Sequence, residues 1–348
     1  MPKIIFTNFS FRYKNLQAPT LKNINLEINK GEKILIAGRS GSGKSTLMHC
    51  LNGLIPFSHD GDIEGDLLID EMRPFKENVF EVSKKVGTIL QDQDSQFIGL
   101  SVAEDVAFVL ENNKVPFKQM EKDVLSCLDV VDMKEFIDHS PYELSGGQKQ
   151  RVSLAGILSS SAEILIFDEP LANLDPASGK NVVSLIDDLL NKTDKTILIV
   201  EHRIEDILEK NIDKIVIIEK GEVIAFDTPK KILGKNILKK AGLREPLYIE
   251  AMIHSNLDVK ELGNLNDINK LVTDNVRNKL VKWFNAPVSV NQNKSKYSDK
   301  LLSVDKLSFS YDKDEQVLDS VSFDLFKGEI VSLLGSNGSG KSTLGIVK

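Results

Sequence analysis

The chain has 348 residues, of which 41% are hydrophobic and 27% charged, and its formal net charge is −7; that is room for about two domains with sizeable cores, and the negative balance excludes a general attraction to nucleic acid or anionic lipid. The two cysteines, Cys50 and Cys127, stand in no metal-ligand spacing, which points to a reducing compartment rather than a disulfide framework. The N-terminus lacks a signal peptide's apolar stretch and no apolar run approaches the ~20 residues that span a bilayer, so work at a membrane would go through a partner.

Residues 3–9 read as a strand, and Leu21–Ile28 alternates apolar and polar residues as a half-buried strand does. The turn Asn29-Lys30-Gly31-Glu32 leads into strand Lys33–Ala37 and at once into Gly38-Arg39-Ser40-Gly41-Ser42-Gly43-Lys44-Ser45-Thr46. Two glycines five apart, then Lys and Ser/Thr, between an apolar strand and an apolar helix start, make a P-loop in its required context. The plainer reading, a glycine-rich turn, does not call for that context. Glycines let the backbone close around phosphates, and loop N–H groups and the helix N-terminus face the anion. Lys44 is suited to the β- and γ-phosphates of a nucleotide, and the Ser45 hydroxyl to Mg²⁺.

Further on, Leu67–Ile69 and Val86–Leu90 read as strands, and the pattern from Ser101 to Asp138 is helical, including Ala103–Leu110 and Val124–Val131. Ser145–Ser160 is another helix. Strand Ile164–Phe167, helix Ala177–Leu190 and strands Thr196–Val200 and Lys214–Ile218 follow. Strands alternating with helices imply an α/β fold with a largely parallel sheet.

The chain then repeats itself. FSFRY at 9–13 returns as LSFSY at 307–311, and GEKILIAGRSGSGKSTL at 31–47 returns as GEIVSLLGSNGSGKSTL at 328–344. Duplication of a whole domain is the natural explanation. The second P-loop, Gly335–Thr343, brings Gly335, Gly340, Lys341, Ser342 and Thr343 to the positions of their first-copy counterparts. Nothing that follows the P-loop in copy one is present in copy two, so the expected division is a first domain at 1–235, a helical extension and linker at 236–300, and the truncated start of a second domain at 301–348. The extension opens with an apolar, helical part, Ile237–Ile253, and closes with the polar stretch Ser289–Lys300, which reads as a linker.

Two features downstream of the first P-loop carry chemistry. Ile164–Phe167 runs into Asp168 and Glu169, and an acidic pair at a strand's carboxyl end can hold Mg²⁺ through one member and activate water through the other. Alone, such a pair could be a solvated strand end. Leu144-Ser145-Gly146-Gly147-Gln148 opens a helix with Ser and two glycines, which by itself could be simple capping.

LSGGQKQR followed by ILIFDEP resembles the ATP-binding-cassette (ABC) ATPases, over roughly residues 3–230 and again 302–348. The resemblance implies a P-loop NTPase cassette with a mostly parallel sheet, antiparallel β structure and an α-helical subdomain, then a truncated second cassette. It implies that two cassettes face head to tail with ATP and Mg²⁺ at composite sites. Gly38, Ser40, Gly41, Ser42, Gly43, Lys44, Ser45 and Thr46 would cradle the phosphates. Ser45, Gln91 and Asp168 would hold Mg²⁺. Glu169 would be the general base, with His202, Lys44 and Gln91 completing the hydrolytic set. Ser145 and Gly147, in the signature motif, would cap the γ-phosphate on the opposing cassette, and Asp175 matches the D-loop acid. Tyr13 and its counterpart Tyr311 match the aromatic that stacks on adenine, although Tyr13 could equally be a core aromatic on sequence alone. His202 sits between Glu201 and Arg203, where many members have Thr/Ser and Asp, and the Gln91 loop lacks a common proline.

Gln91–Asn112, the Val-Glu-His-Arg at 200–203 and Arg244-Glu245-Pro246-Leu247-Tyr248 further resemble the tandem-cassette ATPases of energy-coupling-factor (ECF) importers, which take up vitamins, vitamin precursors and metal ions. The implied partners are a second cassette (the missing half, or a second copy), a transmembrane coupling subunit and a substrate-binding membrane subunit, with the protein peripheral on the cytoplasmic face of the membrane. The competing reading is a soluble tandem-cassette ATPase acting on ribosomes or nucleic acid. Residues 234–300 hold twelve Lys/Arg against seven Asp/Glu, less basic than such inserts, and the Asn-His-Leu-Asp motif of those factors is missing, so no nucleic acid is expected.

Overall fold

The computed structural model describes residues 2–90, 95–172, 174–190, 194–259, 262, 265, 271, 273–286, 299–312, 315–336 and 338–346. The chain divides into two units, Met1–Asn285 and Ala286–Lys348, each described by itself.

Unit one holds two sheets. An antiparallel sheet in the order β2-β1-β4 is built from β1 (Pro2–Tyr13), β2 (Leu21–Asn29) and β4 (Gly61–Ile69). Alternation in β2 fits one buried and one wet face: Leu21, Ile24, Leu26 and Ile28 are buried and their neighbours are not. The second sheet has the order β5-β6-β7-β3-β8-β9. Its members are β3 (Lys33–Ala37), β5 (Val86–Ile89), β6 (Ile164–Asp168), β7 (Thr196–Val200), β8 (Lys214–Glu219) and β9 (Glu222–Asp227). The first five in that order run parallel, and β9 returns antiparallel on β8. Strand β3 is unbroken in apolar character because both its faces are covered. Ile34 and Ile36 join a core with the antiparallel sheet, while Leu35 and Ala37 join one with the helices.

Helix α1 (Lys44–Leu51) follows β3 directly. A helical block of α2 (Val102–Asn112), α3 (Phe117–Val130) and α4 (Gly146–Leu158) interrupts the sheet between β5 and β6, with α2 and α3 both packed on α4. Ser101 caps α2 by accepting the Glu104 N–H. Helix α5 (Pro176–Leu190) links β6 to β7. Beyond β9, the short helices Ile237–Lys240 and Leu247–His254 and the longer Asp274–Phe284 send Leu238, Ile249, Met252 and Val276 into the same core as Leu35.

Several elements are longer than sequence pattern predicts. The strand expected at 3–9 runs to Tyr13, that at 67–69 starts at Gly61, and the helix expected from Val124 starts at Phe117. Each extension is partly exposed, so its apolar period is weak. Strand β9 has no such period and is held by pairing with β8.

Unit two holds the hairpin β10 (Lys300–Asp312) and β11 (Glu315–Phe326) and the helix Lys341–Ile346. Lys300, assigned from sequence to the linker, begins β10; the rest of Ser289–Lys300 except Asp299 lies outside the described residues. The hairpin repeats copy one to its irregularities. Positive φ at Asn8 and Asn23 returns at Lys306 and Ser320, and the Ser10 hydroxyl accepting Asn23 N–H returns as Ser308 accepting Ser320 N–H. Residues 329–336, which match β3 and the start of its loop, are in no sheet, and Val331 is 54% exposed against 0% for its counterpart Ile34. In unit one this strand lies between β7 and β8, whose equivalents are not among the residues of unit two.

Candidate active site

The parallel strands end on one edge of the sheet, where an α/β fold places its ligand crevice. At that edge β3 delivers the P-loop, β6 delivers Asp168 and Glu169, and β7 delivers Glu201 and His202.

The loop is shaped by what its glycines avoid. A Cβ at Gly38 would come within 2.4 Å of the Ile218 carbonyl oxygen, and one at Gly43 would sit 3.0 Å from Leu21 at φ +109°. Gly41 also has positive φ, yet a Cβ there would meet nothing within 4 Å, so that side of the loop faces open space. Gly43 precedes α1 with no side-chain cap, which leaves the first-turn N–H groups to an incoming anion. Lys44 is buried and folds over its own loop, donating from Nζ to Gly38 O at 2.9 Å and Arg39 O at 3.1 Å. A cleft lined by Thr20, Ser40, Gly41, Gly43, Lys44, Ser45, Thr46, Glu169 and His202 joins the loop to the strand ends.

Glu169 sits at φ +49°, a backbone conformation a non-glycine residue adopts only when its surroundings impose it, and its N–H donates to Val200 O at 2.9 Å. The side chain points back into the cleft, where His202 Nε2 donates to Glu169 Oε1 at 2.8 Å. Burial, then the neighbouring Glu169, holds the Asp168 carboxyl above its ordinary range, with Lys44 opposing. Burial draws the Lys44 ammonium below its usual value, against the pull of Glu169 and Asp168. The site is thus two crowded carboxylates and one buried cation, and it gains from any further positive charge beside Asp168. An oxygen set of the Ser45 hydroxyl and the Asp168 carboxylate suits Mg²⁺, which keeps water and phosphate oxygens as its remaining ligands. These two residues would hold the ion, and when bound it would neutralise developing charge on the phosphates.

Tyr13 lies just outside the cleft, with its hydroxyl 3.1 Å from Thr46 Oγ1 and its ring edge-on to Phe11 and His59. The second P-loop repeats this within its own unit. Lys341 Nζ donates to Gly335 O and Ser336 O at 2.8 and 2.6 Å, and Tyr311 Oη is 3.2 Å from Thr343 Oγ1. A Cβ at Gly340 would come within 2.9 Å of Leu318 and the Val317 carbonyl oxygen, much as at Gly43, while one at Gly335 would meet the Ser339 hydroxyl at 2.4 Å, with no backbone oxygen like that beside Gly38.

Ser145, Gly147 and Asp175 do not line the first cleft. Ser145 caps α4 in a reciprocal capping box with Gln148. Asp175 Oδ1 accepts the Ala177 N–H at the start of α5. Gly147 has an ordinary helical backbone and a Cβ there would meet nothing within 4 Å, so nothing in its own fold requires glycine. Gln91 lies outside the described residues.

Two residues that sequence reasoning passed over as departures are built into the site. Glu201 is 3% exposed, and its carboxylate accepts N–H groups from Leu171, His202 and Arg203. Arg203 donates to Leu171 O and Leu174 O. The signal was a charged residue directly after five buried strand residues, a place where an unpaired carboxylate would be costly.

Comparison with known proteins bears on this geometry. The family model described as "ABC transporter" matches residues 21–172 and 318–346. A second, described as "ATP-binding cassette cobalt transporter", matches 235–309. Among curated relatives, an ABC transporter ATP-binding protein of Bacillus cereus is 53% identical over 347 residues, 99% of this chain and 60% of the relative. One from Clostridium perfringens is 49% identical over 342 residues, 98% of this chain and 60% of the relative. The chain therefore spans about three-fifths of the length of these relatives. Among solved structures, CbiO1 from Clostridium perfringens, described as part of the ABC transporter complex CbiONQ, matches with a TM-score of 0.62 at 29% identity, covering 72% of this chain and 99% of that one. A dimeric ATP-binding cassette in a post-hydrolysis state with ADP and Pi matches with a TM-score of 0.55 at 29% identity, covering 65% of this chain and 98% of that one.

Proposed function

The chain belongs to the ABC transporter family, and from that premise we propose that it binds and hydrolyses ATP with Mg²⁺ to power an ECF-type importer of a vitamin, vitamin precursor or metal ion. The carrying observation is the cleft itself, where the P-loop and the Glu169–His202 pair meet at one sheet edge. In this reading the P-loop N–H groups and Lys44 hold the triphosphate, and Tyr13 lies against the base. His202 holds Glu169 in the orientation from which its carboxylate accepts a proton from the attacking water. Most of the rate enhancement comes from positioning and charge stabilisation rather than covalent chemistry.

The composite arrangement needs a second cassette, supplied by the continuation of 301–348 or by another copy. Residues 1–235 form the first cassette and 236–300 its extension. Open space beside Gly147 supports close approach of a nucleotide bound on the opposing cassette.

The importer reading is supported by the CbiO1 likeness and by the match of 235–309 to the cobalt-transporter model. It is also supported by the groove between β5 and α2, lined by Val86, Ile98, Phe108, Val109 and Ile157, of which Ile98 and Phe108 are exposed. Exposed apolar patches of this kind mark docking sites, here for a transmembrane coupling subunit that works with a separate substrate-binding membrane subunit. Among the described residues no helix is long and apolar enough to cross a membrane, which gives the partner that task, with this protein peripheral on the cytoplasmic face. Purification of the tagged full-length protein from detergent-solubilised membranes tests the reading. Co-recovery of a coupling protein and a small membrane binding protein is the expected result. Recovery from the soluble fraction with ribosomes or nucleic acid would overturn it.

A further inference from the structure

The turn after β7 and the segment after β6 are tied together in both directions. Glu201, buried, takes the Leu171 N–H at 3.1 Å through Oε2, and the His202 and Arg203 N–H groups at 2.7 and 3.0 Å through Oε1. Arg203 answers with donor groups: Nη1 lies 3.4 Å from Leu171 O and 3.2 Å from Leu174 O. Its guanidinium is held in place by Asp206, at 2.7 Å from Nε and 2.6 Å from Nη2. Gly179 leaves the room this needs, since a Cβ there would sit 3.3 Å from Arg203 Nη2. A carboxylate that accepts only and a guanidinium that donates only thus grip one segment by its N–H and C=O groups. That segment continues into Asp175, whose Oδ1 and backbone carbonyl hold the first turn of α5.

We propose that Glu201 and Arg203 are positioning residues for hydrolysis: a two-way bracket that makes the turn carrying His202 and the Leu171–Asp175 segment move as one body. His202 reaches Glu169, so a bracket that fixes the His202 turn against the segment after β6 also fixes the geometry of that pair. It rests on the reading of Glu169 and His202 as the hydrolytic pair.

The test uses full-length protein and measures kcat, KM, nucleotide affinity and melting temperature for Arg203→Lys, Glu201→Gln and the double variant. Arg203→Lys keeps the charge but loses the fork; Glu201→Gln keeps the shape but loses the acceptor pair. Each is expected to lower kcat roughly tenfold through misplacement of the site, with ATP affinity held within about twofold. The double variant is expected to cost no more than the worse single, because the two act as a unit. If either single variant folds poorly, Gly179→Ala presses on Arg203 without removing a hydrogen-bonding group and is expected to lower kcat roughly threefold. Unchanged kcat in these variants overturns the proposal, and so does a parallel loss of affinity, turnover and melting temperature, which assigns the bracket to folding alone. Glu169→Gln separates the two readings. If it leaves turnover intact the hydrolytic pair fails, whereas an inactive Glu169→Gln variant beside fully active bracket variants sinks only the bracket.

Discussion

Replacing Glu169 by Gln is the sharpest test of the proposed chemistry because it changes so little else. The amide oxygen can still accept from His202 Nε2, at the 2.8 Å now seen, and the left-handed backbone at this position is unaltered. What disappears is the ability to take a proton from water. General-base catalysis is worth roughly 10²–10⁴-fold, so kcat should fall by that factor, about 3–5 kcal/mol of barrier. Affinity for ATP should hold or rise, because the change removes one of the negative charges that crowd Asp168 and would face the incoming phosphates. Phosphate release by the full-length protein, paired with titration of a fluorescent ATP analogue, reads both quantities. A fall in kcat of less than about threefold, with binding intact, would refute the assignment of Glu169 as the base.

Other outcomes follow from the same geometry. Lys44→Met should weaken ATP binding by roughly 10–100-fold through the lost charge-assisted contact, while removal of a buried ammonium leaves the melting temperature within a few degrees; tight binding by this variant would contradict the phosphate role. Gly38→Ala should destabilise unit one by about 1–3 kcal/mol, since its methyl meets a backbone oxygen that cannot turn away, whereas Gly147→Ala should melt like the parent yet turn over ATP more slowly. Equal turnover for Gly147→Ala would mean that nothing approaches that glycine. Buried Lys3 bridges Asp70 at 2.8 Å and Glu163 at 2.7 Å. Burial alone would raise Asp70, but hydrogen bonds from Lys3 and Lys85 outweigh it, and the Lys3 hydrogen bond lowers Glu163. Both carboxyls therefore bind protons less readily when folded, and their stabilisation, present above the ordinary carboxylate range, is lost as pH falls below that range and through their lowered folded values. Lys3→Met should cost about 1–2 kcal/mol near pH 7, discounted because both acids are partly exposed, and should flatten the decline of the urea midpoint from about pH 5 downward to about pH 2.

Much of the site was legible because phosphate binding constrains the backbone as well as side chains. The spacing of Gly38, Gly43, Lys44 and Ser45 names a loop, and the loop's place after β3 names the sheet edge where Asp168, Glu169 and His202 also arrive. The order of the strands was not legible. Nothing local in Lys33–Ala37 says that its neighbours are residues 196–200 and 214–219. Glu201 and Arg203 look like departures from a pattern until their partners, thirty residues away in sequence, are seen. Strand β9 and the full length of β4 escaped notice for a different reason, since edge strands are held by hydrogen bonds and leave little hydrophobic period.

The position of β3 has a consequence during synthesis. The antiparallel sheet is complete once residue 69 is made, but β3 and the P-loop behind it wait for β7 and β8, about 180 residues further on. At ~5–20 residues per second that is roughly 10–40 s, during which an apolar strand stands without the neighbours that will cover its edges. Nucleotide cannot help the chain fold in this interval, because the loop that holds phosphate is unsupported and the acids of β6 and the histidine after β7 have yet to arrive. The newly made cassette is therefore at its most aggregation-prone just before it becomes able to bind its ligand.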